Sequence, residues 1–204
     1  MRISHDILYP LIARAAADTG LAWWLLYSQI EQESGFDPNA VSSCGALGLL
    51  QLMPSTFPHF TRQQLLDPET NLRLGSRYLA ELRDTFQHED VKERLRFALA
   101  AYNGGLGAVL HAQALALRRG LNPACWDDLA CVFPEVRQFY AGAWHTPDYR
   151  QILDYVARIW RNFQARASQP VPALPADARL ASSIPPASVS GAAAATIPRN
   201  TRNS

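Results

Sequence analysis

Apolar residues return every three or four positions through most of this chain, and that period commits it to helices. Ile7, Leu8, Leu11, Ile12 and Ala15 keep the spacing until Gly20 stops it. From Trp23 to Glu33, the residues Leu25, Leu26, Gln29 and Ile30 fall on one face. Leu72, Gly75, Leu79 and Leu82 make a stripe within a helix from Pro68 to about Gln87. Leu95, Ala98, Leu99 and Tyr102 make another from about Val91 through Ala101, with a break expected at Asn103-Gly104-Gly105. Gly107 to about Arg118 reads as helix again, and Asn122-Pro123 opens a looser stretch holding Trp126 and Leu129. Pro134 to Trp144 and Pro147 to about Ala165 read as two last helices, each opened by proline. No strand is convincing, although Ser42 to Met53 has room for a small hairpin. The expected fold class is therefore all-α.

Turn formers gather between the second and third of these helices. Asp37-Pro38-Asn39 is a turn signal, Gly45 and Gly48 punctuate the next stretch, and Pro54-Ser55-Thr56 can open a short helix. After about Ser168 the chain is alanine, proline and serine with almost no large apolar side chains. Such a stretch buries too little surface to offset the entropy of ordering. The expected organisation is one domain over residues 1–167 and a disordered tail over 168–204.

Of the 204 residues, 48% are hydrophobic and 18% charged, which suits one domain with a substantial core. The formal net charge of +1, with Lys92 the only lysine, argues against a nucleic-acid-binding surface. No apolar run is long enough to span a bilayer. Arg2 followed by Ile7 to Ile12 mimics a short export signal, but Asp6 and Arg14 bracket a very short apolar core, and the same residues read as the first helix. Three cysteines, Cys44, Cys125 and Cys131, are too few for a disulfide scaffold and are expected to be buried or half-buried thiols; Cys125 and Cys131 can pair only if the fold brings them together. The five histidines show no metal-ligand spacing with them, so neither a metal nor a cofactor is expected.

Glu33 stands out among the ionisable residues. It ends an apolar helix, where lost solvation disfavours the charged carboxylate and raises its pKa toward that of a general acid. Taken alone, a glutamate near a helix end is an ordinary surface residue. Tyr102 and Tyr155 alone read as core aromatics, Ser42 and Gln51 as turn caps, and Met53 as core filling. Trp23, Trp24, Trp126 and Trp144 read as packing residues, and Arg150, Arg158, Arg161 and Arg166 as a solvated face.

The segments together say more. Glu33-Ser34-Gly35-Phe36-Asp37-Pro38-Asn39-Ala40-Val41-Ser42 is followed by Gly45-Ala46-Leu47-Gly48-Leu49-Leu50-Gln51-Leu52-Met53-Pro54, later by Ala101-Tyr102-Asn103-Gly104-Gly105, and then by Tyr155-Val156. This pattern resembles the soluble lytic transglycosylase family, whose catalytic domains are related in fold to goose-type lysozyme. The resemblance covers about Ile7 to Arg161. It implies that Glu33 is the one catalytic acid. It also implies that Ser42, Gln51, Met53, Tyr102 and Asn103 line or hold the glycan, and that Tyr155 reaches toward the glutamate. Leu50 stands where methionine is common in the family, Asp37 where asparagine is common, and Cys44 where some members have a second serine.

What the resemblance implies is cleavage of the bond between N-acetylmuramic acid and N-acetylglucosamine in peptidoglycan, closing a 1,6-anhydro ring without water. Between Glu33 and Asp67 the only other acid is Asp37, which is consistent with a mechanism that needs no second carboxylate. A hydrolytic lysozyme of the same fold is the rival, and a binding module that kept the fold without the activity is a third reading. With a weak export signal, delivery in a virion or release at phage lysis is the expected route to the wall. A role beside a secretion or conjugation machine is the alternative, and the tail suits attachment to such an assembly.

Overall fold

The computed structural model describes residues 2–86, 90–136 and 148–173. Among these residues it shows eight helices and no strand: α1 (His5–Thr19), α2 (Trp23–Ser34), α3 (Arg62–Leu66), α4 (Pro68–Thr85), α5 (Val91–Gly104), α6 (Leu106–Arg118), α7 (Trp126–Val136) and α8 (Tyr149–Arg166). The chain is all-α, as its periodicity predicts. None of these helices is long and apolar enough to cross a membrane.

α5 is the central element, packing against α4, α6, α7 and α8. Its run Phe97-Ala98-Leu99-Ala100-Ala101 is buried without a break. An amphipathic helix cannot do this; only one enclosed on several sides can. α2 lies against α8, and α1 against α4 and α2. Gly20 and Gly35 end α1 and α2 in the left-handed conformation, each amide returning to a carbonyl of the last turn. Asp67 caps α4 by accepting from Thr70 N at 2.9 Å, with Pro68 in the first turn.

Several expectations need correction. Pro54-Ser55-Thr56 forms turns and no helix, because Pro58 follows at once, lacks an amide and biases Phe57 away from helical angles. α5 does not break at Asn103 but runs through Gly104, where a Cβ would collide with the Ile152 side chain of α8. Gly104 is thus a packing glycine, and the break falls at Gly105, whose φ is +85°. The stretch after Pro123 is helical, and Pro134 lies inside α7 rather than opening a helix. The rest of the helix expected up to Trp144, and Trp144 itself, lie outside the described residues. The hairpin is reduced to two isolated antiparallel bridges, Val41 with Leu47 and Leu47 with Leu52. Cys44 and Cys131 are exposed rather than buried, one on a tight turn and one on the outer face of α7; Cys125 is half-buried, and all three thiols are free.

Trp126 packs between Phe97 and Phe133, as expected of a core residue. α8 ends at Arg166, and the chain beyond it keeps one tie to α2, the Trp24 indole N–H donating to the Gln169 carbonyl at 3.1 Å. Residues 174–204, most of the stretch read as a tail, lie outside the described residues.

Candidate active site

Glu33 lies in the last turn of α2, and the chain turns sharply just after it. Gly35 (φ +56°) and Phe36 (φ +69°) are both left-handed. That conformation is strained for phenylalanine. Burial of the Phe36 ring against Tyr27, 4.9 Å between centroids, and a hydrogen bond from Ile3 N to its carbonyl hold it there. Glu33 as a residue stays half-buried, while its carboxyl is packed about by protein.

That packing sets the chemistry. Burial raises the Glu33 pKa from 4.5 to about 7, against the opposing effect of a hydrogen bond from Tyr155. The Tyr155 hydroxyl, brought by α8, donates to Glu33 Oε1 at 2.5 Å and receives an N–H from Gln29 Nε2 at 3.2 Å. Burial, then the nearby Glu33 charge, holds the phenols of Tyr155 and Tyr102 well above their usual range, so both stay protonated. Tyr102, near the end of α5, donates to the Leu50 carbonyl at 2.7 Å and lies beside Tyr78, ring centroids 5.4 Å apart.

Neither nearby acid is a second carboxylate for Glu33. Glu31 sits two positions back on α2, which turns it to another face. There it pairs with Arg166 at 3.1 Å and accepts from Asn162 at 3.2 Å. Asp37 is half-buried, and its carboxylate accepts from Asn39 N at 3.1 Å within its own turn.

The loop between α2 and α3 carries Ser42, Gln51 and Met53. Ser42 Oγ accepts from Ala46 N at 3.0 Å, a local turn cap. Gln51, left-handed at φ +48°, turns its amide onto the loop backbone, donating to Gly48 O at 2.9 Å and Ala40 O at 3.3 Å. Met53 is 37% exposed, so it is a surface side chain and not core filling. Asn103 is half-buried beside Tyr102. The structure therefore joins Glu33 directly to Tyr155 and sets Tyr102 close enough for Glu33 to act on it electrostatically. Ser42 and Gln51 make loop-internal bonds.

Two supporting residues escaped the sequence reading of the site. Asn71 of α4 is fully buried; its Oδ1 accepts from Leu50 N at 2.8 Å, and its Nδ2 donates to Leu47 O at 2.9 Å and Leu65 O at 2.6 Å. Gln29, also fully buried, bonds Tyr155. Each is a lone amide within an apolar stripe, and that is the signal that marks it: an amide is buried only where it has partners. Among the described residues, no group of three or more histidine, cysteine or acidic side chains could hold a metal.

Comparison with known proteins places the chain in a family. The chain is 42% identical over 135 residues to membrane-bound lytic murein transglycosylase F of Desulfosudis oleivorans, covering 65% of this chain and 30% of that one. For the protein of the same name from Maricaulis maris it is 41% identical over 128 residues, covering 62% and 28%. Among solved structures, the 70-kDa soluble lytic transglycosylase of Escherichia coli superposes with a TM-score of 0.56 at 25% identity, over 78% of this chain and 24% of that one. An inactive Glu-to-Gln mutant of lytic transglycosylase Slt from Pseudomonas aeruginosa superposes with a TM-score of 0.54 at 27% identity, over 82% and 25%. The chain thus spans less than a third of the length of each of these proteins. Residues 10–121, which include Glu33, the loop braced by Asn71, and Tyr102, match the transglycosylase SLT domain, and the chain belongs to that family.

Proposed function

We propose that this chain is the catalytic domain of a peptidoglycan lytic transglycosylase. It would cleave the β-1,4 bond between N-acetylmuramic acid and N-acetylglucosamine and leave a 1,6-anhydromuramic acid end. The observation that carries the reading is the Glu33 carboxyl, with a pKa near 7 and, among the described residues, a single hydrogen-bond donor and no carboxylate partner. At neutral pH such a group is divided between acid and base, and it can serve as each in turn. Protonated Glu33 gives its proton to the bridging oxygen as that bond to C1 breaks. The carboxylate then takes the proton of the muramic acid C6 hydroxyl as that oxygen bonds to C1. The substrate's 2-acetamido group carries the developing positive charge that a second carboxylate would otherwise face. In this reading Tyr102, Asn103, Ser42, Gln51 and Met53 border the glycan groove.

The experiment is digestion of purified peptidoglycan followed by mass analysis of the products. Wild type is expected to release 1,6-anhydromuropeptides and Glu33→Gln none, with its helical circular dichroism unchanged. Reducing-end products from wild type would identify a hydrolytic lysozyme instead. Intact glycan strands, bound but uncut, would identify a binding module.

The site of action is the bacterial envelope, where peptidoglycan lies. The relatives' names describe membrane-bound bacterial enzymes. They favour a bacterial wall enzyme over the virion-delivered one that the weak export signal suggests. We read residues 168–204 as a linker to an envelope partner or assembly.

A further inference from the structure

We propose that Gln29 is a positioning residue, holding the Tyr155 hydroxyl in one direction so that Glu33 Oε2 carries the transferable proton. The functional meaning rests on the transglycosylase reading above; the hydrogen-bond geometry does not. Gln29 is fully buried on α2, one turn before Glu33, with Leu25, Leu26 and Ile30 around it in sequence and equally buried. Its Nε2 lies 3.2 Å from the Tyr155 hydroxyl, which lies 2.5 Å from Glu33 Oε1.

A phenol has one proton and two lone pairs, and an amide nitrogen cannot accept. With the Gln29 N–H on the phenol oxygen, the phenol proton points at Glu33. Oε1 is then an acceptor whether or not the carboxyl is charged. The proton of the acid form is left to Oε2, which has no hydrogen-bond partner among the described residues. The chain of two bonds also polarises the tyrosine O–H and strengthens its hold on the carboxylate.

A second observation separates this role from packing. The Gln29 carbonyl oxygen, Oε1, is buried with no hydrogen-bond partner among the described residues. An orphaned buried acceptor lowers stability. A methionine of the same length would fill the site without that defect. Among the described residues, the only hydrogen-bond partner of the Gln29 side chain is the tyrosine that touches the acid.

The test uses the full chain as wild type, Gln29→Met, Tyr155→Phe and the double variant. The Glu33 carboxyl midpoint is followed by carbon NMR, with the melting temperature and turnover on glycan strands measured alongside. Gln29→Met is expected to raise the Glu33 midpoint by about half a pH unit and to lower kcat about threefold or more with KM held. Its melting temperature should equal or exceed that of wild type. In the Tyr155→Phe background the same substitution should change neither midpoint nor kcat. An unmoved midpoint in Gln29→Met, or a shift that persists without the tyrosine hydroxyl, overturns the proposal. So does a lower melting temperature with equal loss of activity in both backgrounds, which is the behaviour of a packing residue. Gln29→Leu is the second variant should Gln29→Met not fold. The midpoint measurement needs no turnover, so a wild type that makes no 1,6-anhydro product defeats the transglycosylase reading separately from this one.

Discussion

Asn71 and Leu50 are joined by a buried hydrogen bond, Leu50 N donating to Asn71 Oδ1 at 2.8 Å, and through it α4 braces the loop that follows α2. The same side chain ties Leu47 and Leu65, so one amide satisfies Leu50 N and Leu65 O and adds a second bond to Leu47 O, which also accepts from Leu52 N. Asn71→Leu keeps the branched shape and leaves Leu50 N and Leu65 O unmet. We expect a loss of about 3 kcal/mol or more, read as a lower urea midpoint with an unchanged slope. Activity should fall with it, as Leu50 and Gln51 lose their seat.

Gly75 tests the same contact from below. A Cβ there would stand 2.7 Å from Leu50 Cδ1, 2.9 Å from Leu50 Cβ and 3.1 Å from the Tyr102 hydroxyl. Gly75→Ala raises helix propensity in α4, yet it should destabilise by about 1–3 kcal/mol through overpacking. Because it wedges Tyr102 from the Leu50 carbonyl, glycan affinity should drop as well, measurable by titration with chitooligosaccharides.

Glu33 makes stability depend on pH in an unusual sense for a carboxylate. Its folded pKa of about 7 lies above the ordinary 4.5, so the folded chain binds the proton more tightly than the unfolded one. The stabilising effect is complete below about pH 4.5 and is lost as pH rises through about 7; the full difference is about 3 kcal/mol. Glu33→Gln does not titrate. Its stability relative to wild type should therefore grow between those limits, with the gap in melting temperature widest above pH 8. Wild-type kcat/KM should fall tenfold per pH unit on the alkaline side, with a midpoint near 7.

Glu31 offers the control. It is the acid nearest in sequence to Glu33, but it is held by Arg166 and Asn162. Glu31→Gln should cost at most about 1 kcal/mol and leave turnover within about twofold of wild type. A loss comparable to that of Glu33→Gln would reveal a second working carboxylate and a different mechanism.

The helices carried by strict apolar periods, α1, α2, α4, α5, α6 and α8, are legible in the sequence. α3 and α7 are not, for local reasons. α3 is a single turn or so, too short for a period to show, and its real mark is the Thr61–Gln64 capping box. α7 has apolar residues at 126, 129, 132, 133 and 136 and two aspartates in its first turn, but Pro134 reads as an opening when it lies inside. For the site, Glu33 and Tyr155 are legible because the segments around them match a family pattern. Asn71 and Gln29 are not, because their partners are backbone groups of Leu47, Leu50 and Leu65 in one case and a distant hydroxyl in the other, which only the folded chain brings near. Gly104 reads as punctuation because sequence shows what a glycine permits and not that Ile152 occupies its missing side chain.

The pairing of α2 with α8 also sets an order of events during synthesis. The acid leaves the ribosome 122 residues ahead of its hydroxyl donor. A nascent chain, or one clipped ahead of α8, has its glutamate without the donor and without the wall that keeps water from it. The glutamate then titrates as an ordinary surface carboxylate, charged and inert as an acid at neutral pH. The Glu33 carboxyl thus holds its proton at neutral pH only when nearly all of the domain has been made and has folded.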